Sequence, residues 1–170
     1  MRRTTLLLIV ALVAALPALA ADPGAQVLDS RSALEALKAL EGDWVAKPAT
    51  ERSGTAVRYE VIAGGNTVVK TYAPGAANEM LTIYHMDGDD LILTHYCALN
   101  NQPKMRFQSS ETAGEIRFEF AGGTNFDPKV DTHAHEGWTR ITTDGTIETE
   151  SIAYSEGEPM PAQRTVLQRR

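Results

Sequence analysis

The stretch Met80-Leu81-Thr82-Ile83-Tyr84-His85-Met86-Asp87-Gly88-Asp89-Asp90-Leu91-Ile92-Leu93-Thr94-His95-Tyr96-Cys97 decides how the rest of the chain is read. Two runs rich in aliphatic, aromatic and threonine side chains flank Asp87-Gly88-Asp89, a pattern that spells a β-hairpin. A two-residue turn at Gly88-Asp89 pairs Asp87 with Asp90. It therefore sets Tyr84 opposite Leu93 and Thr82 opposite His95. Side chains alternate across a strand, so Met80, Thr82, Tyr84, Leu91, Leu93, His95 and Cys97 share one face. Leu81, Ile83, His85, Ile92, Thr94 and Tyr96 share the other. Both faces are mixed, and alternation leaves open which of them points inward.

The same punctuation continues on both sides of the hairpin. Strands are expected at 43–47, 55–62, 67–72, 79–85, 90–97, 104–110, 115–121, 134–142, 146–154 and 162–169. Ala63-Gly64-Gly65-Asn66, Ala113-Gly114 and Asp144-Gly145 supply further turn signals. Val57, Tyr59 and Val61 alternate clearly, as do Ile116, Phe118 and Phe120. About ten short strands joined mostly by hairpins predict an all-β antiparallel meander, and closing it into a barrel removes the exposed edges. One short helix precedes them over Ser30 to Glu41. Ser32 and Glu35 have capping-box spacing, Leu34, Leu37 and Leu40 recur at helical intervals, and Gly42 stands where a glycine stops a helix.

The first residues are of another kind. Met1-Arg2-Arg3 leads into an apolar run from Leu6 to Leu16, and Ala18-Leu19-Ala20 provides a small-x-small site. That order predicts a secretory signal peptide over 1–20, too short in its apolar part for a comfortable membrane span. A flexible leader over 21–29 and a single barrel domain over 30–170 would follow. Cleavage would take the net charge from −6 to −8, because Arg2 and Arg3 leave with the peptide. An acidic chain lacks the basic face that a nucleic-acid binder needs. A lone cysteine excludes an internal disulfide and any thiolate zinc cluster. The expected location is periplasmic or secreted, with no integral membrane segment after cleavage.

Two resemblances bear on the architecture. Gly42-Asp43-Trp44, after a helix and at the start of the first strand, is similar to the G-x-W signature of lipocalins. In those proteins the glycine permits a tight approach and the tryptophan plugs one barrel end. The segment 78–97, continued by Asn101-Gln102-Pro103-Lys104-Met105, resembles a family of exported bacterial proteins of unknown function with a lipocalin-like, or calycin, fold. Members carry a similar "EM-x-T-x-YH-x-DGD-x-L-x-LTHYC" hairpin followed by "NQP-x-M". Their later D-x-H-x-H segment is matched by Asp131, His133 and His135. The family often has glycine where Asn100 stands. The resemblance implies a calycin-like β-barrel able to hold a ligand and brings no established reaction with it.

Chemistry-bearing residues are scarce, which makes each one informative. His95 and Cys97 lie two apart on one strand face, so an imidazole could take the thiol proton. Equally, both could be core residues, since free cysteine is among the most buried types. His133-Ala134-His135 sends two imidazoles to one face at chelating distance, and His95, His85 or Glu150 could add a third donor for a metal ion if the barrel brings them together. The Asp144-Gly145 turn, read as pairing Thr143 with Thr146, puts these histidines on a face with Thr139, Ile141, Glu148, Glu150 and Tyr154. The alternative for the pair is a polar pocket wall or satisfied core histidines. Asn101 and Gln102 follow the His95 strand as a loop, where their amides either meet a ligand at the barrel mouth or cap their own backbone. Arg106, if inward, would suit a carboxylate; outward, it is simply solvated. The P-loop, Rossmann, nucleophile-elbow and zincin motifs are all missing from the sequence.

These readings converge on one expectation. The chain is an exported small-molecule-binding barrel holding a partly apolar ligand, with a pocket walled by Tyr84, His95, Cys97, His133 and His135 and with Asn101 and Gln102 near its mouth. An enzyme using the same histidines with a metal ion or haem is the first alternative. An envelope interaction module, in which the barrel is only a scaffold, is the second.

Overall fold

Strands dominate the computed structural model, which describes residues 26–49, 54 and 56–170. The signal-peptide reading of 1–20 and the first part of the leader lie outside these residues. One helix, α1 (Ser30–Lys38), precedes β1 (Gly42–Ala46), β2 (Val57–Ile62), β3 (Thr67–Tyr72), β4 (Met80–Asp87), β5 (Asp90–Tyr96), β6 (Gln102–Gln108) and β7 (Glu115–Thr124). Then follow β8 (His133–Ile141), β9 (Ile147–Ser155), β10 (Glu158–Pro159) and β11 (Gln163–Arg169).

Strands β1 to β9 pair successively and antiparallel, β9 pairs with β11, and β11 returns to β1. The ring of ten strands is thus closed, and the two-residue β10 only extends the far end of β9. Closure gives every long strand two neighbours and leaves no edge to template aggregation. The ten expected strands are all present, and the calycin-like barrel is the architecture they make. Among the described residues no helix is long and apolar enough to cross a membrane.

The helix begins differently from its sequence reading. Asp29, not Ser32, is the N-cap: Ser32 N donates to Asp29 Oδ1 at 2.7 Å, and Asp29 N donates to Ser32 Oγ at 2.8 Å. The reciprocal box therefore closes one turn earlier than Ser32 and Glu35 suggested, and regular helix stops at Lys38. The last residues of the expected leader are anchored as well. Leu28 is buried in the core, and Gly114 N donates to Gln26 O at 2.8 Å.

The helix and the start of β1 seal one end of the barrel. Ala33, Leu34, Ala36 and Leu37 are buried against the strand core with Leu40 and Trp44. Gly42 adopts φ +124°, a turn that only glycine makes without strain, and it delivers Trp44 inward. Trp44 Nε1 donates to Leu40 O at 2.8 Å, and the Arg169 guanidinium lies 4.7 Å from the indole centroid. Arg169 also donates to the carbonyls of Ala39 and Glu41, tying the last strand to the end of the helix. Sequence reading found the tryptophan plug but missed the arginine that pins it.

The β4–β5 hairpin has the register its turn predicts, with Asp87 opposite Asp90, Tyr84 opposite Leu93 and Thr82 opposite His95. Burial settles the open question of its facing. Thr82, Tyr84, Leu91, Leu93 and His95 are buried, so their face points into the barrel.

The β8–β9 hairpin does not follow its predicted register. Thr142 N donates to Thr146 O and Gly145 N to Thr142 O, so the loop holds three residues rather than two. Ile141 consequently pairs with Ile147, and Glu148 and Glu150 face Arg140 and Trp138 instead of Ile141 and Thr139. One residue of slip transfers both carboxylates to the opposite face. A second irregularity, between Ala134 and Glu136, leaves His135 without a partner on β9, a β-bulge.

Candidate functional site

The site is built from two neighbouring rows of side chains that cross the inner wall. In one row the register aligns Val61, Val68, Tyr84, Leu93, Met105 and Phe120. The next row aligns Tyr59, Lys70, Thr82 and His95. An apolar band thus lies directly beside a polar one. Over their middle opens a cavity of about 270 Å³, bounded by Lys70, Thr82, Tyr84, Leu93, His95 and Met105 of these rows and by Phe118, Thr139 and Thr149 across the barrel. Lys70 and Thr82 are buried at its floor, whereas Ser151 and Gln163 are exposed at its mouth.

Lys70 is the singular feature of the floor. It is only 4 % exposed, yet none of the ion pairs among the described residues includes it. Its Nζ lies 4.5 Å from the Tyr72 ring centroid and 5.5 Å from that of Tyr59, so aromatic faces partly replace water around the charge. Burial opposes the ammonium and is the largest influence on it, whereas the Tyr72 hydroxyl and the two ring faces favour it. Burial in turn pushes the Tyr59 and Tyr84 phenols up, so both are neutral at physiological pH. Tyr59 Oη is buried with no hydrogen-bond partner.

His95 completes the wall as a neutral ring. Burial, reinforced by the Lys70 charge, lowers its pKa to about 4. Its Nδ1 lies 2.9 Å from Thr82 Oγ1, and its ring meets the Tyr72 ring edge-on at 5.6 Å between centroids. At neutral pH the cavity floor therefore presents one cation, one neutral imidazole and several hydroxyls, set against aliphatic and aromatic surface. That combination grips a small molecule with an apolar body and fixes a polar end.

Of the residues expected from sequence, Tyr84 and His95 line this cavity. Cys97 is half-buried, with its Sγ 4.0 Å from Met80 Sδ, and His95 spends Nδ1 on Thr82, so no thiol–imidazole hydrogen bond forms. Asn101 is buried but donates through Nδ2 to Thr132 O at 2.9 Å. Gln102 Oε1 accepts from Thr124 Oγ1 and Asn125 Nδ2. Both amides tie loops together. The preceding Asn100 has φ +63°, a left-handed conformation that glycine adopts freely and asparagine tolerates. The glycine that the resembling family often carries there fits the same turn.

His133 and His135 form a separate cluster. His133 is fully buried, its Nδ1 lies 2.8 Å from Asp131 O, and its Nε2 lies 3.0 Å from His135 Nδ1. The His135 ring is stacked between Tyr154 and Phe120, at 3.7 and 4.6 Å between centroids, and Phe126 covers His133 at 4.7 Å. The bulge re-aims the pair into these rings. Among the described residues no three His, Cys, Asp or Glu side chains are grouped to hold a metal ion, so the expected convergence of His95 with His133 and His135 is not formed. Arg106 points outward and pairs with Asp90. Sequence reading missed Lys70, although Val68, Lys70 and Tyr72 alternate on one strand face and thereby place a lysine where the pattern calls for an inward residue.

No family of proteins matches the chain, and no curated protein matches it either.

Proposed function

We propose that this chain is an exported barrel that binds a small, partly apolar molecule in the cavity beside Tyr84 and His95. The observation that carries the reading is the pairing of an apolar band with a buried polar row on one cavity wall. A barrel built only as a scaffold gains nothing from a buried lysine, threonine and histidine, since each costs free energy to remove from water. A bound molecule accounts for them. The signal-peptide pattern over 1–20 and the hairpin resemblance support a location outside the cytoplasm, in the periplasm or medium.

Native mass spectrometry of untagged protein from its own cell envelope tests the reading. A stoichiometric organic adduct that leaves on unfolding is the expected result. Protein of bare-chain mass that also fails to bind any member of a small apolar library contradicts it.

A further inference from the structure

We infer that the molecule held in this cavity carries a single negative charge, a carboxylate, which seats on Lys70. The inference rests on the ligand-binding reading above and names the chemistry of the ligand's polar end.

The argument starts from charge balance. Lys70 is an ammonium removed from water, and the described residues offer it no carboxylate partner. Two acidic residues border the cavity, Glu136 and Glu150, and the register turns the Glu150 side chain to the face opposite Thr139 and Thr149. Glu150 is already engaged: Trp138 Nε1 donates to its Oε1 at 3.0 Å, and Arg164 Nε donates to its Oε2 at 2.5 Å. Glu136 is half-buried and acts on His135. Neither neutralises the lysine. Rings of Tyr59 and Tyr72 flank Nζ, which is a way to hold a buried cation without quenching it.

Geometry adds the hydrogen bonds. Thr82 sits beside Lys70 across the β3–β4 ladder, and His95 sits beside Thr82 across β4–β5. The Tyr59 hydroxyl is buried without a partner. A carboxylate oxygen arriving at Lys70 brings an acceptor to this row. One ammonium balances one negative charge; a dianionic phosphate would leave its second charge buried and unpaired. The body of the ligand then lies along Tyr84, Leu93, Met105 and Phe118, the apolar side of the cavity. At about 270 Å³ the space lies at the small end of ligand pockets, suited to a medium-length acyl chain or a single aromatic ring bearing the acid.

Isothermal titration calorimetry of the purified barrel with octanoate, 1-octanol and octyl phosphate tests this, in the native protein and in Lys70→Met. Methionine keeps the stem's volume and removes a buried charge, a change that leaves folded stability intact or raises it. The native barrel should bind octanoate tenfold to a hundredfold more tightly than octanol, the scale of a charge-assisted contact. It should also prefer octanoate to octyl phosphate. In Lys70→Met the octanoate advantage should vanish while octanol affinity stays within a few-fold. A thermal melt of the variant at or above the native midpoint shows that the barrel is intact. Equal binding of octanoate and octanol overturns the carboxylate assignment while leaving a ligand-binding barrel standing, and so does a preference for the phosphate. Failure of native barrel to bind all three, and benzoate besides, overturns both readings together.

Discussion

The two hairpins β4–β5 and β8–β9 carry comparable raw material, each with histidines, an aromatic residue and threonine, and they use it in opposite ways. In β4–β5 a two-residue turn keeps the ladder unbroken from Leu81 to Asp87, so every second side chain reaches the interior. Thr82, Tyr84 and His95 become a cavity wall. In β8–β9 a three-residue loop and a bulge at His135 interrupt the alternation twice. His133 and His135 end in a stack of rings with Phe120, Phe126 and Tyr154, outside the cavity. The lesson is that a histidine's spacing on a strand says where it points only if the register is continuous.

The sharpest way to break the comparison is to disturb the second hairpin at its tightest point. A Cβ on Gly137 would meet the Glu150 carbonyl oxygen at 2.5 Å, and backbone cannot step aside as a side chain can. Gly137→Val should cost about 3 kcal/mol or more in urea unfolding, at the upper end of overpacking. Gly88 in the first hairpin has φ +62° and open space around its Cβ position, so Gly88→Ala should cost only the left-handed strain, about 1 kcal/mol. Equal costs at the two sites would show that β8–β9 is not closely paired at Gly137.

Acid provides a second separation. The folded pKa of His95, about 4, lies below the unfolded value near 6.5, so the unfolded chain takes up this proton first as pH falls. Stability is therefore fully present above pH 6.5 and declines between 6.5 and 4, by at most about 3 kcal/mol over that window. Lys70, Tyr72 and Thr82 face the ring, and Lys70 acts on it in the same sense as burial. His135 is also shifted down, chiefly by burial and then by His133, and it contributes in the same sense. His95→Gln should remove the larger part of the decline measured by urea unfolding from pH 7 to 4.5. A decline that survives this substitution and disappears in His135→Gln would reverse the roles assigned to the two hairpins.

Much of the barrel was legible because its signals are local. Turn dipeptides and period-two alternation mark the ten strands, and the Gly88-Asp89 turn alone sets the β4–β5 register. The site was harder for physical reasons. Facing depends on which side of the sheet finds the core, and both faces of 80–97 are mixed, so only burial decides. Asp144-Gly145 looks like a two-residue turn, but the Thr142 hydroxyl lies 2.8 Å from Thr146 O and 2.5 Å from Asp144 Oδ1, and these bonds favour a longer loop. The bulge at His135 has no sequence mark. Lys70 is hard to read as a site residue because lysines are mostly exposed. Its inward place follows from Val68 and Tyr72 on either side, a cue that becomes visible once β2 is paired with β3.

The central claim is that ligand meets the β3–β5 wall and not the histidine pair. Carbon-edited NMR of the four histidine Cε1–Hε1 signals during octanoate titration tests it most directly. The account predicts a saturable shift of the His95 signal, with His85, His133 and His135 unchanged. Movement of His133 and His135 while His95 stays still would contradict it.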